Sequence, residues 1–240
     1  GASAGIGASL AREVGKRGGK VVLAARRADK LEEVARSAGE GHLAVTADVT
    51  KRDDVARLAS SAIERFGHVD AWVNNAGRGI TRGILELTDD DVDAMVRDNV
   101  KSVLYGMQAI VPHFKARKEG HLVNVSSLLG RIPFAPFRAA YEAAKAAMGS
   151  LTETMGAELA KETPEVCVTC FYPGVVATEF GLNALGGGPD SRALPGGQTP
   201  EEVATLLADV LEQRRGGDVY SRPEFLERVL GYLRGRAASA

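Results

Sequence analysis

The chain is poor in the residues that would place it outside ordinary soluble catalysis or binding. It has two cysteines in 240 residues, Cys167 and Cys170. They fall in the β-branched, apolar run Val166–Phe171, which reads as a strand. An odd separation on a strand sends the two side chains to opposite faces, so neither a disulfide nor a shared metal is expected and two buried thiols are. The four histidines show no ligand spacing, and no metal site is expected. Aromatics make up 5% of the chain, with one tryptophan. Neither charge sign is in excess: 30 basic against 31 acidic residues leave a net charge of −1, which argues against a nucleic-acid surface. No apolar run approaches the roughly 18 residues of a membrane span. The cysteine usage and the lack of a visible secretory signal suit a reducing cytoplasm.

What is present is 45% hydrophobic residues in a regular alternation of strand-like and helix-like segments. Strands are expected at 20–25, 42–46, 69–73, 121–125, 166–171 and 218–221. Helices are expected at 8–17, 29–37, 52–66, 89–118 (in two pieces), 139–162 and 200–213, with Thr199 as N-cap of the last and a further helix at the end. Solid apolar strands separated by helices argue a parallel sheet covered on both faces, a doubly wound α/β fold of three layers. One domain over 1–240 is the natural reading. Ligands in such folds sit at the carboxyl ends of the strands. The stretch 181–199, rich in Gly and Pro and without periodicity, reads as a mobile flap over a substrate or as a plain surface loop.

The first residues, Gly1-Ala-Ser3-Ala-Gly5-Ile6-Gly7, run directly into a helix. Glycines before a helix let backbone approach a pyrophosphate, and the helix N-terminus favours the anion. Such a motif should follow a strand, so a first strand, missing from this sequence, is expected ahead of Gly1. The next strand ends in Arg26-Arg27 with no acid to take a ribose 2′-hydroxyl. Guanidinium suits a phosphate, so NADP(H) is expected over NAD(H). Asp48 is placed to accept from an adenine amino group, and Val49 could lie against the ring. In Asn74-Asn75-Ala76-Gly77 the small pair would let a cofactor approach closely and the amides could lock neighbouring strands; an Asn-Gly type of turn is the alternative.

Tyr141 and Lys145 are four apart in an alanine-rich helical stretch and therefore share one face. A phenol with a pKa of about 10 is a poor acid and a worse base at neutral pH. A neighbouring cation favours the phenolate and brings the group toward useful proton transfer.

Together these residues resemble the short-chain dehydrogenases/reductases. The matches are Gly1-x-x-x-Gly5-Ile6-Gly7, Asp48-Val49, Asn74-Asn75-Ala76-Gly77, Asn99, Ser126-Ser127, Tyr141-x-x-x-Lys145 and Pro173-Gly174-x-x-x-Thr178, in family order over about residues 1–180. The resemblance implies a Rossmann-type fold, a nicotinamide cofactor, reversible carbonyl reduction, and a homodimer or homotetramer. It implies Tyr141 as general acid in reduction, Lys145 lowering its pKa and holding the nicotinamide ribose, and Ser127 (with Ser126 as rival) binding the substrate oxygen. Asn99 would hold a water in a proton relay. Pro173, Gly174, Val176 and Thr178 would seat the carboxamide end of the nicotinamide. Many NADP(H)-preferring members carry a basic residue where this chain has Ala4, so the phosphate preference rests on Arg26 and Arg27.

The expected pocket lining, Leu128, Leu129, Ile132, Phe134, Phe137, Tyr172 and the flap around 182–194, is largely apolar and favours a hydrophobic carbonyl or alcohol as substrate. The amphipathic segment 224–233 could pack on the body, cap the pocket, join an oligomer interface or touch a membrane. A nucleotide-sensing or scaffold protein on the same fold is the rival to an enzyme; the intact Asn99, Ser127, Tyr141 and Lys145 set argues against it.

Overall fold

The computed structural model describes residues 1–239. Fourteen main elements alternate along the chain: α1 (Gly5–Lys16), β1 (Val22–Ala25), α2 (Ala28–Ala38), β2 (Leu43–Thr46), α3 (Arg52–Phe66), β3 (Ala71–Asn74), α4 (Asp89–Val96), α5 (Ser102–Arg117), β4 (Gly120–Val125), α6 (Ala139–Glu162), β5 (Val166–Tyr172), α7 (Pro200–Glu212), β6 (Gly217–Tyr220) and α8 (Pro223–Ala238). All strand pairings are parallel, and helices flank the strands, giving a Rossmann-like α/β fold.

β4 shows why the layers form. Its six residues are all buried. Val123 and Val125 point to one face, where they meet Leu10 of α1 and Val203 and Leu207 of α7. Leu122 points to the other, against Met107, Ile110 and Phe114 of α5 and Met148 of α6. A strand apolar on both faces needs cover on both.

The strands form two blocks, β1-β2 and β3-β4-β5-β6. Among the described residues no strand joins β1 to β3. β1 is shorter than expected, and β3 is half-buried along its length. Each is an edge strand. The glycine segment bridges the two blocks at their carboxyl ends: the N–H groups of Gly1 and Ala2 donate to the Ala24 carbonyl (2.8 and 3.0 Å), and Asn75 Nδ2 donates to the Gly1 carbonyl (3.1 Å).

Local signals act as their chemistry dictates. Thr199 caps α7 in a capping box with Glu202, accepting from the Glu202 N–H at 3.1 Å while the Glu202 carboxylate takes the Thr199 N–H at 2.7 Å. The two-piece helix over 89–118 is divided by a π-helical segment, Arg97–Lys101, which carries Asn99. Segment 181–199 contains a 3₁₀ turn at Ser191–Ala193, and its flanks are tied down by the bridges Ile80–Leu185 and Val176–Gln198. Cys167 and Cys170 are both free, one half-buried and the other buried.

Candidate active site

The sequence-identified residues gather at the carboxyl ends of the strands. Around the start of α1 the backbone leaves no room for side chains. Gly5 has φ +55°, and a Cβ there would also stand 3.2 Å from Thr178 Cγ2. A Cβ on Gly7 would be 2.3 Å from the Gly1 carbonyl oxygen. Ile6 and Val176 pack into the α1–α7 core. α1 has no side-chain cap and no acid in its first turn, so its leading N–H groups are free to meet an anion. A cavity of about 290 Å³ opens alongside, lined by Arg12 and Lys30 but also by Glu33 and Glu201. The glycine turn and the uncapped start of α1, rather than that cavity, fit a dinucleotide pyrophosphate.

Arg27 Nη2 donates to Ser3 Oγ at 3.0 Å, and both Arg26 and Arg27 are exposed. Asp48 Oδ1 accepts from the Thr50 N–H (3.0 Å) and hydroxyl (2.8 Å). Burial pushes the Asp48 carboxyl up, but the Thr50 hydrogen bonds and nearby cations, Arg26 among them, leave it below its ordinary value. Val49 is half-buried beside it.

After β3, Asn74 and Asn75 part company. Asn74 locks strands: Trp72 Nε1 donates to its Oδ1 (2.8 Å), its Nδ2 donates to Asn124 Oδ1 (2.8 Å), and Asn124 Nδ2 donates to Thr152 Oγ1 of α6 (2.9 Å). Ala76 and Gly77 lie close to their neighbours; a Cβ on Gly1 would be 2.9 Å from Ala76 Cα, and one on Gly77 would be 2.8 Å from Asn99 Oδ1 and 3.4 Å from Lys145 Nζ. Asn99 is wholly buried, with Nδ2 donating to the carbonyls of Arg78 (3.0 Å) and Met95 (3.2 Å) and Oδ1 accepting from the Arg78 N–H (3.1 Å). In this structure it clamps the loop beyond Gly77.

Tyr141 and Lys145 lie on the buried side of α6, and Lys145 Nζ is 5.7 Å from the centre of the Tyr141 ring. Lys145 Nζ donates to the Val125 carbonyl at 2.9 Å. Burial lowers its pKa to about 8. Burial raises the Tyr141 phenol to about 12, against the pull of the Ser127 hydroxyl and then the Arg138 guanidinium. The expected Lys145 effect on the phenol is not among these influences; Arg138 supplies the cationic one. Arg138 precedes Tyr141 by three residues, a helical spacing that the sequence already displayed. Ser126 and Ser127 are separated by direction: Ser126 Oγ donates to the Lys145 carbonyl (3.0 Å), while Ser127 Oγ accepts the Leu129 N–H (3.2 Å) and keeps its own proton to give.

Pro173 and Gly174 follow β5. The Pro173 carbonyl accepts the Leu128 N–H at 2.9 Å, and a Cβ on Gly174 would strike the Phe225 ring at 2.5 Å. Helix α8 thus packs on the site loop, its Phe225 and Val229 against Leu128 and Ile132. Three expected lining residues are packing residues here. Leu128 and Ile132 are buried under α8, and Tyr172 is wholly buried, stacked on Tyr220 with ring centres 5.1 Å apart. Phe134, Phe137 and Leu182 stay exposed.

A short-chain dehydrogenase family model matches residues 1–184. The chain belongs to the short-chain dehydrogenase family. This short-chain dehydrogenase is 36% identical over 222 residues to the uncharacterized oxidoreductase Lin0452 of Listeria innocua, covering 89% of this chain and 88% of that one. A short-chain dehydrogenase/reductase of Burkholderia phymatum in complex with NAD superposes with a TM-score of 0.86 at 28% identity, over 95% of this chain and 89% of the other. An alcohol dehydrogenase of Thermococcus sibiricus complexed with 5-hydroxy-NADP does so with a TM-score of 0.80 at 28% identity, over 92% of each. No helix among the described residues is long and apolar enough to cross a membrane.

Proposed function

We propose that this oxidoreductase transfers a hydride between NADP(H) and the carbonyl or alcohol carbon of a hydrophobic small molecule. The observation that carries the reading is the convergence of Ser127, Tyr141, Lys145 and the Gly77–Asn99 contact at one end of β4. When bound, the nicotinamide nucleotide supplies or accepts the hydride.

The chain's residues do the rest. Gly1, Ser3, Gly5, Ile6 and Gly7 form the pyrophosphate cradle. Arg26 and Arg27, with Ser3 already hydrogen-bonded to Arg27, favour a 2′-phosphate; the structural relatives include one with NAD and one with an NADP derivative, so this preference rests on the chain's own arginines. Asp48 and Val49 receive the adenine. Asn75, Ala76 and Gly77 line the path to Pro173, Gly174, Val176 and Thr178 at the carboxamide end. Lys145 spends one ammonium donor on Val125 and has two more for the ribose. Tyr141, neutral at physiological pH with its phenol at about 12, gives its proton to the developing alkoxide while Ser127 donates a hydrogen bond to the same oxygen. A resident neutral phenol suits reduction. Segment 181–199 acts as the substrate flap, and the enzyme works as a homodimer or homotetramer.

The test is NADPH oxidation with a panel of apolar ketones and aldehydes, Tyr141→Phe beside the parent. Positioned acid–base groups contribute about 10²–10⁴-fold; near-normal turnover in Tyr141→Phe would refute the mechanism.

A further inference from the structure

Arg138 is a cation of the site that no carboxylate answers; its guanidinium lies over the Phe137 ring, 5.8 Å from the ring centre. It is 9% exposed, yet among the described residues its guanidinium meets no carboxylate and donates no hydrogen bond. The nearest carboxylate in sequence, Glu142, is turned away: its Oε1 accepts the Ala135 N–H at 2.9 Å. A guanidinium keeps its charge under all ordinary conditions, and here the Phe137 ring is a weaker partner than a carboxylate would be. The side chain lies near enough to Tyr141 to act on its phenol. A Cβ on Gly79 would stand 3.0 Å from Arg138 Nη1 and 3.0 Å from the Phe180 ring, and that ring is tilted against Tyr141 with centres 5.6 Å apart. Phe137, the ring under the guanidinium, is exposed, as are Phe134 and Leu182.

We propose that Arg138 anchors a carboxylate of the substrate, so that the substrate is an oxo acid with an apolar tail whose carbonyl then falls on Tyr141 and Ser127. This deepens, and rests on, the carbonyl-reductase reading above. A single guanidinium carries one unit of charge and a planar fork of donors, which matches a carboxylate. The anchor holds the acid while the exposed aromatic rim takes the tail.

Two measurements test it. The first is calorimetric binding of octanoate and of neutral octanamide to the protein saturated with its nicotinamide nucleotide. The parent is expected to bind octanoate at least about tenfold tighter, Arg138→Met to lose that preference, and Arg138→Lys to recover part of it, since hydrogen bonds between charged partners are the stronger ones. The second is turnover of α-, β- and γ-oxo acids with linear alkyl tails against their methyl esters. The acid-to-ester ratio is expected to exceed one in the parent and to fall at least about tenfold in Arg138→Met, whatever the variant's absolute rate. A role confined to tuning Tyr141 would lower acid and ester alike and leave the ratio fixed, which would overturn the proposal. So would equal binding of octanoate and octanamide by the parent. If the binding preference holds and depends on Arg138 while no oxo compound is turned over, the anchor stands and the reductase reading falls.

Discussion

Ser126 and Lys145 hold one another across the junction of β4 and α6. The Ser126 hydroxyl donates to the Lys145 main-chain carbonyl at 3.0 Å, and one residue earlier the Val125 carbonyl receives the Lys145 ammonium at 2.9 Å. The strand end thereby fixes both the backbone and the side chain of the lysine. Ser126→Ala removes a second donor from a carbonyl that keeps its helical partner, a loss of about 0.5–1.5 kcal/mol. The expected result is a lower unfolding midpoint together with a lower kcat. Unchanged values of both would show that the tie is immaterial.

Lys145 itself is held at a cost in stability. Its pKa falls to about 8 on burial, from 10.5 when free. Below pH 8 both folded and unfolded chains carry the proton, and the folded state bears the full penalty. Between about 8 and 10.5 the unfolded chain binds the proton that the folded chain has shed, so stability contributed by this residue rises with pH. Lys145→Met should therefore raise the melting temperature at neutral pH, at about 2–4 °C per kcal/mol for a chain of this size, while abolishing turnover. The gain should shrink as pH rises through that window, and a constant gain would contradict the assignment.

Arg27 reaches Ser3 across the cradle. If the pair receives a 2′-phosphate, Arg27→Ala should raise KM for NADPH by about tenfold or more and leave KM for NADH nearly unchanged. Parallel changes with both nucleotides would remove the basis for the NADP(H) preference.

His121, wholly buried in β4 with Nε2 2.7 Å from Thr169 Oγ1, is pushed down to about 4 by burial and then by Arg214. As pH falls from 6.5 toward 4 the unfolded chain takes up a proton that the folded chain refuses, so stability drops through this window. His121→Asn should flatten this acid limb in urea unfolding followed from neutral pH down to about pH 4.5. An equally steep limb in the variant would assign the acid sensitivity elsewhere.

Much of this protein is written locally. The i, i+4 relation of Tyr141 to Lys145 follows from helix geometry alone. The capping box Thr199–Glu202 and the apolar run of β4 likewise need only neighbours in sequence, because hydrogen bonds within one turn and the period of side chains along a strand set them. The two-piece helix around Asn99 was legible, though its π-helical joint was not.

Tertiary structure decided what depends on partners distant in sequence. It sent the Ser126 hydroxyl proton to the Lys145 carbonyl and left the Ser127 hydroxyl as acceptor of the Leu129 N–H, a choice that two adjacent serines cannot reveal. It gave Lys145 to Val125, twenty residues away, and turned Glu142 to the Ala135 backbone so that Arg138 stands without a carboxylate near Tyr141. It placed Leu128 and Ile132 beneath α8 and buried Tyr172 against Tyr220. Sequence determines which groups share a face. Which of them keep a free hydrogen bond or an unanswered charge is settled only when the other elements have packed, because desolvation and pairing are properties of the assembled interior.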